Sequence, residues 1–200
     1  TMHMQEATMF KRSIIYLGVS ALFAASGAIA EYKGDISPQE AFERASTEAN
    51  VYILDVRSGQ EWRWVGHPGP NGLADSKGKG LSFNSGAALE GKVVNIAYKL
   101  DDGAGGLFDN YAFDTDVIDR FKDSTNYVLL TLCRTGVRAL AAAEQLGELS
   151  YTTYRIEHGF QGDANDEAKP GPDTLYRDVN GWVNSKLPYN DDKTGAYYPE

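Results

Sequence analysis

Four short apolar runs, separated by polar and glycine-containing stretches, give the chain its main hydrophobic pattern. They cover residues 51–56, 93–96, 127–132 and 151–156. The runs 93–96 and 151–156 also contain polar residues, whereas the runs 51–56 and 127–132 are apolar at nearly every position and are too short for a buried helix. This is typical of strands buried on both faces of a mostly parallel sheet. The pattern therefore predicts four strands in one such sheet.

The segments between these runs carry helix signals. Ser37 is placed to cap a helix, with Pro38 at its first position. Residues 114–121 have apolar side chains at helical spacing, and residues 139–147 are rich in strong helix formers and end on glycine, which predicts a helix end there. Strands that alternate with helices predict an α/β fold, with a mostly parallel central sheet and helices on both faces.

The stretch from residue 127 to residue 147 is the most informative part of the chain. A buried strand is followed at once by Cys133, then by a short loop and a helix. In that arrangement the backbone N–H groups of the loop and of the first helical turn converge, and the helix dipole adds positive charge. We therefore expect Cys133 at the mouth of an anion-binding loop, with Arg134 and Arg138 close by, where a thiol ionises easily.

The spacing of this loop distinguishes it from two other anion-binding loops. A phosphatase loop of the cysteine type needs one more residue before its arginine, and Ala139 stands at that position. A nucleophile elbow needs glycines two residues on either side, where this chain has Thr131 and Thr135. The six-residue loop from Cys133 to Arg138 is small for a phosphate group, but it suits one additional sulfur atom on the cysteine.

At these residues the chain resembles the rhodanese family of sulfurtransferases. The resemblance lies in LCRTGVR at 132–138, in LDVR at 54–57 followed by Glu61 and Trp62, in GHPG at 66–69 and in GF at 159–160, and it spans roughly residues 37 to 162. It implies a single rhodanese-like α/β domain. It also implies that the loop cysteine alternates between a thiolate and a persulfide.

The leading hypothesis is therefore a thiosulfate sulfurtransferase of the rhodanese type, with Cys133 as the catalytic nucleophile. Loop amides would hold the sulfur, and the two loop arginines would attract the sulfonate of the donor. Arg57 is a secondary candidate for the anion site, although a structural pair with Asp55 is the favoured interpretation. The predicted substrate-binding residues are Arg134, Thr135, Gly136, Val137 and Arg138.

Two further function classes stay open at the level of sequence. One is a non-catalytic persulfide carrier or redox sensor that uses the same cysteine. The other is an arsenate or phosphate-ester enzyme on the same fold. A catalytic histidine is not expected, because His158 follows the last strand in a turn and a thiolate held by the loop needs no base.

Charge and cysteine content restrict the partners. The formal net charge of −9 makes the chain a poor partner for nucleic acid or an anionic membrane. Cys133 is the only cysteine, so neither an internal disulfide nor a cysteine-based metal cluster is predicted, and no cofactor or metal is expected. The expected partners are a small sulfur-containing anion and a thiol acceptor, which includes the thiol of an acceptor protein.

The N-terminal residues of the chain predict export from the cytoplasm. Lys11 and Arg12, an apolar run over 14–25 and small residues at 28–30 are typical of a secretory signal peptide. We expect residues 1–30 to be removed and the protein to reach the bacterial periplasm.

The remaining sequence is interpreted as one domain over 31–190, with an insertion at 68–91 and a C-terminal wrap at 163–190, followed by a flexible tail at 191–200.

Overall fold

The computed structural model describes residues 31–69, 89–122, 126–164 and 177–190. Within those ranges the strands are β1 (Tyr32–Ile36), β2 (Val51–Asp55), β3 (His67–Pro68), β4 (Val93–Asn95), β5 (Lys99–Asp101), β6 (Leu107–Asp109), β7 (Val128–Leu132), β8 (Thr152–Ile156), β9 (Asp163–Ala164), β10 (Arg177–Val179) and β11 (Tyr189–Asn190). The helices are α1 (Pro38–Thr47), α2 (Gly59–Val65), α3 (Phe113–Arg120), α4 (Val137–Glu148) and α5 (Gly181–Asn184).

The central sheet has five strands in the order β1-β8-β7-β2-β4, and every neighbouring pair is parallel. The four strands predicted from the apolar runs are all present, and β1 is added at one edge. Because β2 and β7 are neighbours in the sheet, Asp55 lies opposite Leu132. The polar residues that follow these two strands are therefore brought to the same edge of the sheet.

Helices cover both faces of this sheet, so the predicted α/β fold class is confirmed. Successive residues of β2 point to opposite faces: Ile53 packs with buried residues of α1, α2 and α5, whereas Leu54 packs with those of α3 and α4. β2 alternates in this way although it is apolar at nearly every position, because each face has its own helical layer. The large anchors of the first face are Trp62 and Trp182, both fully buried.

The helix starts and ends agree with the sequence in part. Ser37 caps α1, and its Oγ accepts a hydrogen bond from the backbone N–H of Glu40 at 3.1 Å. The predicted end of α4 at Gly147 is wrong, because this helix continues to Glu148. A Cβ atom at position 147 would lie 2.6 Å from the backbone nitrogen of Tyr32, so the glycine serves the close approach of β1 to the helix.

Several sequence predictions lie wholly or partly outside the described residues. These are the export signal at 1–30, most of the insertion at 68–91, part of the C-terminal wrap at 163–190 and the tail at 191–200. In the described ranges, no helix has the length and apolar character needed to cross a membrane. The same ranges contain no group of three or more His, Cys, Asp or Glu residues arranged to hold a metal ion.

Candidate active site

Cys133 lies between a strand and a helix, as the sequence predicts. It follows the last residue of β7, and α4 begins four residues later at Val137. The backbone N–H of Gly136 donates a hydrogen bond to the Cys133 Sγ at 3.1 Å. Gly136 has a φ of +100°, a conformation that side-chain-bearing residues rarely adopt, so glycine at this position allows the chain to turn back toward the sulfur.

The depth of the thiol differs from the sequence expectation. Cys133 is only 1% exposed, so it lies on the floor of the loop rather than at its mouth. Its side chain belongs to the apolar cluster of the second face, together with Val56, Ile96 and Ala139. Packing in this cluster contributes to the burial of the cysteine.

Arg138 is held by a carboxylate. Its Nη1 and Nη2 donate to the two carboxylate oxygens of Glu61, both at 2.7 Å. This bidentate ion pair joins the N-terminal ends of α2 and α4, since Glu61 lies in the first turn of α2 and Arg138 in the first turn of α4. In this structure the Arg138 guanidinium is thus paired with Glu61, and its role in binding the sulfonate of a donor stays a prediction.

Glu61 has a second role at the start of its own helix. Its Oε2 accepts a hydrogen bond from the backbone N–H of Ser58, and the Ser58 Oγ accepts one from the N–H of Glu61, which together form a capping box. Burial raises the pKa of Glu61, but the hydrogen bonds and the positive charge of Arg138 outweigh it and hold that pKa below its ordinary value. The carboxylate is therefore ionised at neutral pH.

The other predicted loop residues differ in exposure and contacts. Arg134 is partly buried, and its Nε donates to the Gln161 Oε1 at 2.5 Å. Thr135 is half-buried. Val137 is 76% exposed, so it presents an apolar side chain to solvent at the start of α4. The loop therefore combines a covered sulfur, two arginines with side-chain partners and an exposed apolar residue.

The turn after β8 holds the cysteine loop in place through backbone hydrogen bonds. The backbone N–H of Phe160 donates to the carbonyl of Cys133 at 2.7 Å, and the N–H of Gln161 donates to the carbonyl of Arg134 at 3.0 Å. A Cβ atom on Gly159 would lie 2.3 Å from the same Cys133 carbonyl oxygen, so only glycine permits this approach. His158 also lies in this turn, and its Nδ1 is 2.6 Å from the Oδ2 of Asp163.

Arg57 lies inside the protein and takes the structural role favoured from the sequence. It is fully buried, its Nε donates to the Asp55 Oδ1 at 2.9 Å, and its Nη2 donates to the Gly66 carbonyl at 2.7 Å. The guanidinium also lies 4.2 Å from the centre of the Phe160 ring. Arg57 thus connects the end of β2 to the chain after α2 and to the turn under the cysteine loop, and the structure does not place it at an anion site open to solvent.

Sequence reasoning missed two contact residues of this site. Gln161 gave no signal, because a single glutamine in a turn has no distinctive pattern. Glu61 did have a signal, since Ser58 and Glu61 have the spacing of a capping box. Its partner Arg138 lies 77 residues later, however, and that contact follows only from the fold.

Comparison with known proteins gives relatives of undescribed activity. No protein-family model matches the chain. The uncharacterised protein RC0915 of Rickettsia conorii is 24% identical over 156 residues, which is 78% of this chain and 95% of that protein. The uncharacterised protein RP600 of Rickettsia prowazekii is 23% identical over 156 residues, again 78% of this chain and 95% of that protein.

Solved structures resemble the fold. The crystal structure of Rv0390 from M. tuberculosis matches 81% of this chain and 100% of its own, with 28% sequence identity and a TM-score of 0.58. A rhodanese-related protein from Thermoplasma volcanium covers 79% of this chain at 15% identity, but its TM-score of 0.41 is too low to bear on the fold. The chain is thus an α/β domain similar over most of its length to Rv0390 and to the rickettsial proteins.

Proposed function

We propose that this protein is a sulfurtransferase of the rhodanese type, in which Cys133 carries sulfane sulfur as a persulfide. The observation that carries the proposal is the hydrogen bond from the Gly136 N–H to the Cys133 Sγ at the N-terminus of α4. The amide donor and the helix N-terminus can stabilise an anionic sulfur during transfer. The loop sequence that resembles the rhodanese family supplies these groups.

The transfer step follows from a thiolate at this position. The Cys133 thiolate attacks the outer sulfur of a donor such as thiosulfate, a new S–S bond forms on the cysteine, and sulfite leaves with the electron pair of the broken bond. An acceptor thiolate or cyanide then attacks the outer sulfur of the persulfide and regenerates the Cys133 thiolate. The loop amides stabilise the anionic sulfur before and after the first step.

The low exposure of Cys133 favours a second candidate function, a persulfide carrier. A sulfur that is covered in the resting protein is protected from oxidants, and its release then depends on a partner that opens the loop. The two functions differ in turnover. A carrier loads one sulfur and stops, whereas an enzyme releases sulfite for as long as donor and acceptor are present.

Steady-state turnover is the test. With thiosulfate and cyanide, the proposed enzyme releases far more sulfite than one equivalent of Cys133, and Cys133→Ser releases none above the uncatalysed rate. Release that stops at one equivalent identifies the carrier. Sulfite release that is equal in the wild type and in Cys133→Ser contradicts both functions.

The setting of this activity is part of the proposal. The sequence of the first thirty residues supports export to the periplasm, where a small sulfur-containing anion and a thiol acceptor, free or on another protein, are the partners. The net charge of −9 speaks against nucleic acid and anionic membranes as further partners.

A further inference from the structure

We propose that Glu61 sets the donor specificity of the Cys133 loop, so that it favours organic persulfides over thiosulfate. This inference rests on the proposed sulfur transfer and names the class of its donor. It derives from two independent observations, which are the charge balance around the loop and the apolar side chains exposed beside it.

The charge balance leaves little attraction for a dianion. Glu61 neutralises Arg138 through a bidentate pair, and Asp55 neutralises Arg57. Among the described residues, no carboxylate forms an ion pair with Arg134, whose Nε donates to the neutral Gln161. Of these three arginines, two are therefore paired with a carboxylate. Thiosulfate carries two negative charges, whereas an alkyl persulfide carries at most one.

The geometry of the Glu61 pair keeps this balance in place. The Nη1–Nη2 edge of the Arg138 guanidinium is already bonded to carboxylate oxygens at 2.7 Å. The capping box fixes the carboxylate at the start of α2. A sulfonate must therefore displace a partly buried carboxylate to bind this edge of Arg138, and an organic donor has no such requirement.

Two residues that neighbour this pair in sequence have exposed apolar side chains. Val137 precedes Arg138 in the chain and is 76% exposed, and Trp64 follows Glu61 by one helical turn and is 83% exposed. Residues three apart lie on the same side of a helix, so Trp64 stands on the Glu61 side of α2. An alkyl group of a donor can cover these side chains, whereas the sulfonate of thiosulfate gains nothing from them.

The chemical step for such a donor is balanced without a further reactant. The Cys133 thiolate attacks the outer sulfur of R–S–SH, the donor S–S bond breaks, and a new S–S bond forms on Cys133. The thiolate RS⁻ leaves with the electron pair of the broken bond. The outer sulfur keeps its proton and becomes the persulfide.

The test compares the rates at which the two donors load sulfur onto Cys133. Loading by thiosulfate and by the persulfide of a small alkyl thiol is followed by the mass of the protein. Each rate constant is divided by that of the same donor with free cysteine, which removes intrinsic reactivity. We expect the wild type to prefer the alkyl persulfide by about tenfold, the effect of one charged hydrogen bond.

The variant Glu61→Gln removes the charge and keeps a side chain that can complete the capping box. It is expected to shift the donor preference toward thiosulfate by about tenfold, and the double variant Glu61→Gln with Arg138→Gln loses that gain. Glu48→Gln is the matched control, because it removes one acidic charge from an ion pair with Arg44 at the opposite edge of the sheet. It should leave the preference unchanged.

The outcomes separate this inference from the function on which it rests. A wild type that prefers thiosulfate after normalisation, or a Glu61→Gln variant that behaves as Glu48→Gln does, overturns the role of Glu61 and leaves sulfur transfer standing. If Glu61→Gln does not fold, the comparison of donors on the wild type still decides. Failure of both donors to load Cys133 overturns the sulfurtransferase proposal itself.

Discussion

Arg57 and Asp55 show how one buried ion pair organises the region under the cysteine loop. Both side chains are fully buried and are joined by hydrogen bonds of 2.5 to 3.0 Å. Burial of two charges is unfavourable, but removal of one partner alone leaves the other uncompensated in the core. The pair is therefore a requirement for the local structure even though Arg57 takes no direct part in the proposed transfer.

Arg57→Ala is expected to lower the free energy of unfolding by about 3–5 kcal/mol, because it leaves the Asp55 carboxylate buried without its partner. Denaturation by urea measures this loss. Lys122→Ala is the control, since Lys122 and Asp119 form an exposed pair at 3.9 Å whose removal should change little. Equal effects of the two substitutions would contradict the structural role of Arg57.

At the scale of single residues, the sequence predicted which residues form the cysteine loop better than it predicted their burial and contacts. The place of Cys133 after a buried strand and the need for Gly136 were both readable. The depth of the sulfur was not, because it depends on how α4 packs on residues such as Val56 and Ile96. The partners of Arg134 and Arg138 come from distant parts of the chain, so no local sequence pattern predicts them.

At the scale of elements, the cysteine loop depends on the turn that follows β8. This turn donates two backbone hydrogen bonds to the carbonyls of Cys133 and Arg134, and Gly159 allows the two backbones to meet. The position and shape of the loop are therefore set by a segment more than twenty residues away in sequence. A change in that turn should affect both stability and sulfur loading.

Gly159→Ala tests this dependence, with Gly91→Ala as its matched control. Both glycines have positive φ, of +62° and +70°, so each alanine should cost about 1–2 kcal/mol of folding free energy through its backbone conformation. Only an alanine side chain at position 159 would meet the backbone of the loop, since nothing lies within 4 Å of a Cβ atom at position 91. Overpacking should raise the total loss for Gly159→Ala to about 2–5 kcal/mol.

Urea unfolding gives both values, and the rate of sulfur loading gives the functional consequence. Gly159→Ala is expected to load sulfur on Cys133 more slowly than the wild type, while Gly91→Ala loads at the wild-type rate. Indistinguishable unfolding energies for the two variants would show that the turn does not support the loop.

Element prediction succeeded where the pattern was strong and failed where it was weak. The runs that became β2 and β7 are apolar at nearly every position, so their burial was readable. β1 has the sequence YKGDI and pairs only with β8 at the sheet edge, and it gave no hydrophobic signal. Gly147 was misread as a helix end because a glycine that admits a neighbouring strand has the same local sequence as one that ends a helix.

At the scale of the whole molecule, the parallel sheet determines what meets at its C-terminal edge. Ligands of open parallel sheets bind at that edge. Here the ends of β2 and β7 bring Asp55 and Arg57 close to Cys133, and α2 and α4 bring Glu61 to Arg138. The α/β class and this edge were predictable from the order of strands and helices, whereas the burial of the thiol required coordinates.

The persulfide on Cys133 is the central claim, and the mass of the intact protein tests it most directly. After incubation with thiosulfate or, in a parallel sample, with the persulfide of a small alkyl thiol, and after removal of excess donor, the wild type should gain the mass of one sulfur atom. Peptide mapping should place it on Cys133, and cyanide should remove it. Cys133→Ser should gain nothing. A wild type whose mass is unchanged by both donors, or an equal gain in Cys133→Ser, would contradict the account.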